Sequence, residues 1–242
     1  MNKTAAFFDL DGTIFRMITT YEILKEALHL NYIKKEIWEK ELQPLLNIWE
    51  NREGQMNEFI SQYWKVYREF VANYPDLNNQ LTELVLKKQI NRLNVYTKLK
   101  LKEFKEKNID CFIISDANQN IVDFVVKELD LKGWYGSCSY LDSSGEIVVK
   151  RLKKEQKADK LKEICKDFWY NPEQCYAFWD THIDFEMLES VWYPTIINPI
   201  KELIELVKWS QKVNSYNLVI EKKWVVYKIS WINIKETDFY FI

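Results

Sequence analysis

The chain has 242 residues, of which ten are tryptophan and only five glycine, and its 47% hydrophobic and 29% charged residues are an ordinary globular balance. That balance excludes disorder, collagen-like repetition and a disulfide-dense miniprotein, and a chain of this length has room for one large domain or two small ones around a sizeable core. With 34 basic and 36 acidic side chains the net charge is −2, too little to recruit nucleic acid or anionic lipid, so neither is an expected partner.

The run Thr4–Phe8 is short, apolar and aromatic, and Gly12 follows it, which predicts a buried strand ending in a loop. From about Thr20 to Arg92 the period becomes helical. Stripes run through Ile23, Leu24, Ala27 and Leu28, through Ile37, Trp38, Leu42, Leu45, Leu46 and Trp49, and through Phe59, Ile60, Tyr63, Trp64, Tyr67 and Phe70. Leu81, Leu84 and Leu86 follow, with breaks at Gly54 and Pro75-Asp76. About seventy helical residues without a strand signal predict an inserted helical subdomain.

Alternation follows. Tyr96–Lys107 reads as a helix, Ile109–Ile114 as a strand and Asn120–Leu129 as a helix. Cys138–Leu141 and Glu146–Val149 form a hairpin about Asp142-Ser143-Ser144-Gly145. Lys157–Phe168, Asp184–Val191 and Lys201–Lys212 read as helices; Gln174–Trp179 and Pro194–Ile197 read as strands. Strands alternating with helices predict a parallel sheet with right-handed crossovers. Leu218–Trp231 has the composition of additional β structure.

The cysteines at 111, 138, 165 and 175 are scattered without a C-x-x-C pair, the pattern of small apolar residues in a reducing compartment. Acidic residues arrive by position 9, too early for a signal peptide, and no apolar run approaches the ~20 residues of a membrane span. A cytoplasmic protein is expected.

Phe7-Phe8-Asp9-Leu10-Asp11-Gly12-Thr13 places two carboxylates two residues apart where a buried strand ends, the edge of an open parallel sheet where ligands bind. Close carboxylates repel unless a cation or proton lies between them, and few hard oxygen ligands suit Mg²⁺. One could attack phosphorus while the other protonates the leaving alcohol and then activates water. Asp-Gly also suits a plain turn. An EF-hand is excluded, because Thr13 takes the third acidic position and no Glu stands at the required distance.

This segment resembles motif I of the haloacid dehalogenase superfamily, a hydrophobic strand followed by D-x-D-G-T. Ser115 after CFII matches the Ser or Thr of motif II. Lys157, with Leu161 four residues on, matches motif III, and Lys160 is the fallback. Asp180 and Asp184 in YAFWDTHIDFEML match motif IV. The resemblance covers roughly residues 4–210. The insertion after motif I, the hairpin and MLESVWYPTIINP resemble the phosphoserine-phosphatase-like branch (subfamily IB) with a helical C1 cap. The implied fold is α/β, a Rossmann-like three-layer parallel-sheet core with an inserted all-helical cap: 1–16 and 93–212 core, 17–92 cap, 213–242 a C-terminal β-rich extension.

The resemblance implies a Mg²⁺-dependent phosphatase acting on a small phosphorylated metabolite through a phosphoaspartyl intermediate. Asp9 is then nucleophile and metal ligand, and Asp11 is general acid/base with its carbonyl on the metal. Asp180 is the third protein ligand. Asp184 supports the metal shell or orients Lys157, and Gly12 and Thr13 complete the loop. Ser115 and Lys157 would donate to the phosphoryl oxygens.

Taken alone, Ser115 reads as a helix N-cap and Lys157 as a solvated helix residue; Asp180 and Asp184 read as the acidic first turn of a helix. His182 is expected to face solvent. The sequence departs from the family pattern at Trp179 and Thr181 (usually Gly and Ser), at Trp192 (usually Gly) and at Asp116, which should face away from a phosphate dianion. The two tryptophans either reshape the pocket wall or simply pack. A second reading is therefore a degenerate member that binds a phosphorylated ligand or a protein partner without turnover. Glu22, Arg52 and Arg68 are the cap residues available to hold an amino-acid zwitterion, and a monomer or homodimer is expected.

Overall fold

The computed structural model describes residues 3–51, 56–141, 143–144, 147–150, 154–222 and 225–230. Its strands are β1 (Ala5–Phe8), β2 (Asp110–Asn118), β3 (Gly133–Leu141), β4 (Ile147–Lys150), β5 (Tyr176–Trp179), β6 (Tyr193–Ile197), β7 (Asn217–Lys222) and β8 (Val225–Ser230). Among the described residues they form one eight-stranded sheet in the order β4-β3-β2-β1-β5-β6-β7-β8. The pairs from β3 to β7 are parallel; β4 and β8 are antiparallel strands at the two edges. The C-terminal segment therefore extends the sheet, and residues 231–242 lie outside the described residues.

Alternation along β1 sorts its side chains onto two faces. Ala6 and Phe8 enter one apolar cluster, Ala5 and Phe7 the other. Phe8 stacks on Phe178 with ring centroids 4.5 Å apart, and Phe7 stacks on Phe112 at 5.6 Å. Helices α6 (Val95–Glu106) and α7 (Gln119–Leu129) cover the Phe8 face; α8 (Lys154–Phe168), α9 (Phe185–Glu189) and α10 (Lys201–Lys208) cover the Phe7 face. This is the three-layer α/β core.

Before α6, the helices that follow β1 are α1 (Thr19–His29), α2 (Lys35–Ile37), α3 (Gln43–Glu50), α4 (Met56–Asn73) and α5 (Pro75–Gln89), with a π-turn over Trp38–Leu42 joining α2 to α3. Their apolar stripes, among them Ile23, Trp38, Tyr63, Tyr67, Leu81 and Leu86, belong to the same cluster as Phe8. Insert and sheet thus share one core. The expected break at Gly54 and the turn glycine Gly145 lie outside the described residues.

The register differs from expectation at β3. The hairpin pairing Cys138 with Lys150 is present, but β3 begins at Gly133, and its first half lies parallel to β2. Glycine and aromatic residues there carry no clean period-two pattern, so the tertiary partner decides the strand. Cys111, Cys165 and Cys175 are buried free thiols. Among the described residues no helix is long and apolar enough to cross a membrane.

Phe8→Ala removes a ring from the sheet–insert core and is expected to destabilise the fold by about 3–5 kcal/mol, read as a lower urea midpoint by circular dichroism.

Candidate active site

From β1 the chain goes to β2 on one side, and after β4 it crosses to β5 on the other. Beyond β1 the sheet therefore has a switch point, where a crevice opens at the strands' carboxyl ends. Phe8 is level with Ile113 and with Phe178, so the next residues bring Asp9, Ser115 and Asp180 to the same edge. The Asp9 N–H donates to Phe178 O at 3.1 Å, which pins Asp9 to β5.

The loop then turns through Gly12 at φ +76°, a left-handed conformation that a Cβ disfavours. A Cβ built there would lie 1.9 Å from Asp180 Oδ2. Glycine is needed for the space as much as for the angle, because the Asp180 carboxylate fills it. Thr13 Oγ1 is 3.4 Å from Asp180 Oδ1, and Ile14 and Phe15 N–H groups close the turn on Leu10 O.

Lys157 shows why a lysine can serve this site. It shares the buried stripe of α8 with Ala158, Leu161, Ile164 and Cys165, and is itself 3% exposed. Its Nζ lies 3.9 Å from Oδ1 of Asp9, which is 7% exposed. The fallback Lys160 instead bonds Glu163 at 2.5 Å and stands 4.4 Å over the Tyr135 ring. Ser115 is buried, and its Oγ accepts from the Ala117 N–H at 3.2 Å. Asp116 accepts from Ser137 Oγ on β3 at 2.7 Å, so its carboxylate is engaged by the neighbouring strand.

Asp11 sits in a different environment from Asp9. Burial raises its pKa to about 6, against the pull of the Thr19 N–H, which donates to Oδ1 at 2.9 Å, and of the Lys157 charge. The first turn of α1 thus touches the acid. Tyr63 and Tyr67 of α4 face the same region: burial pushes both hydroxyls well above the usual phenol range, and the Asp11 charge adds to it. Tyr67 Oη bonds Asn78 of the insert at 3.2 Å and Asn118 of β2 at 3.3 Å.

A hard divalent cation fits the donors at this edge. Asp9 and Asp180 offer carboxylates and Asp11 a main-chain carbonyl, and Mg²⁺ is commonly held by one or two carboxylates with water completing its shell. Among the described residues no three His, Cys, Asp or Glu side chains converge into a fuller cage. Asp184 closes the short 3₁₀ turn His182–Asp184, and its side chain lies outside what is described. His182 does not face solvent freely: it is half-buried, and its Nδ1 has no hydrogen-bond partner among the described residues.

Neither unusual tryptophan forms a wall of the crevice. Trp179 is fully buried in the cluster with Phe7, Met187 and Leu188. Trp192 is 50% exposed and bonds Pro172 O before β5, at the amino edge of the strands and away from Asp180. Glu22 pairs with Lys25 at 3.1 Å, Arg68 is half-buried on α4, and Arg52 lies outside the described residues.

Sequence reasoning missed Asn94 and Thr97. Asn94 Nδ2 donates to Gly12 O at 2.8 Å and Thr13 O at 2.9 Å, and Thr97 Oγ1 donates to Thr13 O at 2.7 Å. Both are buried at the start of α6 and brace the loop from behind. An Asn-x-x-Thr pair opening a helix reads as capping, and its bonds across more than eighty residues have no local signature.

A family model for haloacid dehalogenase-like hydrolases matches residues 6–189. Among solved structures, a Bordetella pertussis protein of unknown function is 15% identical with a TM-score of 0.70, covering 91% of this chain and 99% of that one. A phosphoserine phosphatase carrying a phospho-aspartyl intermediate analogue is 20% identical with a TM-score of 0.59, covering 92% and 95%. A substrate-bound phosphoserine phosphatase is 18% identical with a TM-score of 0.55, covering 85% and 90%. At these identities the likeness is one of fold. Comparison with curated proteins gives no match.

Gly12→Ala is expected to cost about 2 kcal/mol or more of stability, from the left-handed backbone and the collision with Asp180. Denaturant unfolding measures it; a change within about 0.5 kcal/mol, the range of an indifferent surface substitution, would show that the Gly12–Asp180 packing is not obligatory.

Proposed function

The chain belongs to the haloacid dehalogenase-like hydrolases, and on that premise we propose that it is a Mg²⁺-dependent phosphatase of a small phosphorylated metabolite, working through a phosphoaspartyl intermediate on Asp9. One observation carries the reading: two carboxylates of a single loop have opposite environments. Asp9 lies beside a buried ammonium, which favours its anionic form, while Asp11 is desolvated toward a pKa of about 6, which suits proton transfer near neutrality.

The anionic Asp9 attacks the phosphorus atom in line with the leaving oxygen. Asp11 gives its proton to that oxygen, and the alcohol departs neutral. Asp11, now a carboxylate, removes a proton from water, which attacks the phosphoaspartate; the P–O bond to Asp9 breaks and the carboxylate is regenerated. Ser115 and Lys157 donate to the non-bridging oxygens, where negative charge is held through both steps. Asp9, Asp180 and the Asp11 carbonyl would hold Mg²⁺, whose charge screens the repulsion between carboxylate and phosphate. The insert, taken as residues 17–92, acts as the lid that keeps bulk water from the acyl phosphate, with Tyr63 and Tyr67 facing the acid.

Asp9→Asn is expected to lower kcat on p-nitrophenyl phosphate by at least about a thousandfold while leaving the fold intact. Chelation by EDTA should abolish wild-type turnover, with Mg²⁺ restoring it. Metal-independent turnover, or none on any phosphomonoester in a broad panel, would overturn the proposal.

A further inference from the structure

Where the insert meets the end of β2 there is a cavity of about 210 Å³. Val71, Pro75 and Asn78 line it from α4 and α5; Asn118, Gln119 and Asn120 line it from the end of β2 and the start of α7. None of Asp9, Asp11, Ser115, Lys157 or Asp180 belongs to that lining, and among the described residues neither does any other ionisable side chain. The wall is made of amides, so hydrogen bonding rather than charge decides what fits.

These amides are not equally committed. Gln119 donates to Asp123 at 2.8 Å and accepts from the Gly136 N–H at 2.9 Å. Asn120 donates to Asn79 and Thr82 and accepts from the Ile121 N–H at 3.0 Å. Asn78 and Asn118 are engaged on one side only, by the same hydroxyl. Tyr67 Oη donates to Asn78 Oδ1 and accepts from Asn118 Nδ2.

The opposite atoms, Asn78 Nδ2 and Asn118 Oδ1, have no hydrogen-bond partner among the described residues. Their side chains are only 3% and 6% exposed, yet neither atom is sealed off, and the surface they keep is in the cavity wall. A hydroxyl has one proton. Tyr67 therefore donates to one amide and accepts from the other, so the pair presents one donor and one acceptor whichever way both are turned.

We infer that this cavity is a second ligand site, taking an uncharged planar amide, free or within a ring, of nicotinamide or pyrimidine size. The ligand carbonyl accepts from Asn78 Nδ2 and its N–H donates to Asn118 Oδ1, while the ring lies against Val71 and Pro75. A carboxylate has no proton to give Asn118, and with no cation in the wall its desolvation goes uncompensated. The volume falls below the roughly 300–1,000 Å³ of pockets for drug-sized ligands, which limits the ligand to a single ring. An amide seated there joins α5 of the insert to β2 of the sheet.

The test titrates nicotinamide and nicotinate, which differ in that one group, into the full chain. No phosphomonoester is present, so the outcome is independent of the phosphatase reading. In nuclear magnetic resonance spectra nicotinamide should shift the side-chain amide signals of Asn78 and Asn118 and the backbone signals of residues 71–79 and 118–121. Nicotinate should bind at least about tenfold more weakly, the effect of one lost hydrogen bond. Asn78→Asp keeps the oxygen that accepts from Tyr67 and removes the outward donor, so it should weaken nicotinamide by a similar factor; circular dichroism checks that it is folded. If that variant does not fold, the two ligands on the wild type decide alone. Equal affinity for both, shifts confined to residues 9–13 and 115, no saturable shift, or undiminished binding to folded Asn78→Asp would overturn the inference.

Discussion

Everything at the catalytic edge depends on the side chain that residue 12 does not have. The Asp180 carboxylate occupies the space a Cβ would need, so β1 and β5 meet there through a carboxylate laid directly on backbone. The close approach joins two segments 168 positions apart without any bulky intermediary. Asn94 and Thr97 hold the carbonyls of the same turn from the other side. The loop of residues 9–13 is therefore clamped between the sheet and the first residues of α6, which is also where the chain returns from the insert.

Burying Asp9 and Lys157, with Asp11 half-buried beside them, is expensive in solvation, and the architecture distributes that burden unevenly. Asp9 gains a cation. For Asp11 desolvation outweighs the hydrogen bonding from Thr19 and the more distant Lys157 charge, and its pKa rises. The packed aromatics beneath, Phe8 on Phe178 and Phe7 on Phe112, hold the strand ends rigid enough to keep both environments distinct. Apolar packing contributes the stability that allows the polar edge to remain unrelaxed.

Much of this was legible in the sequence, for a physical reason. The D-x-D-G-T turn is local, so residues 9–13 announce their own geometry, whereas Lys157 taken alone reads as a solvated helix residue and only its spacing to the other motifs singles it out; its burial beside Leu161 and Ile164 is seen in the structure. Helix and strand periods located most of the core. What could not be read depends on distant partners: the bracing by Asn94, the parallel half of β3 beginning at Gly133, and the half-burial of His182. Trp179 and Trp192 stood out on the page because glycine was expected there. One packs under the sheet and the other lies at its far edge, a distinction that only three-dimensional placement supplies.

Glu221 gives the C-terminal ribbon a mechanical role. From β7 its carboxylate holds Arg16, just before the insert, and accepts from the Tyr96 N–H, just after it, at 3.0 Å. One side chain thus fastens both connectors to the same point of the sheet. Two connectors tied at a single anchor are held together against splaying apart independently. The added strand thus ties the insert's entry and exit to the edge of the sheet through one carboxylate.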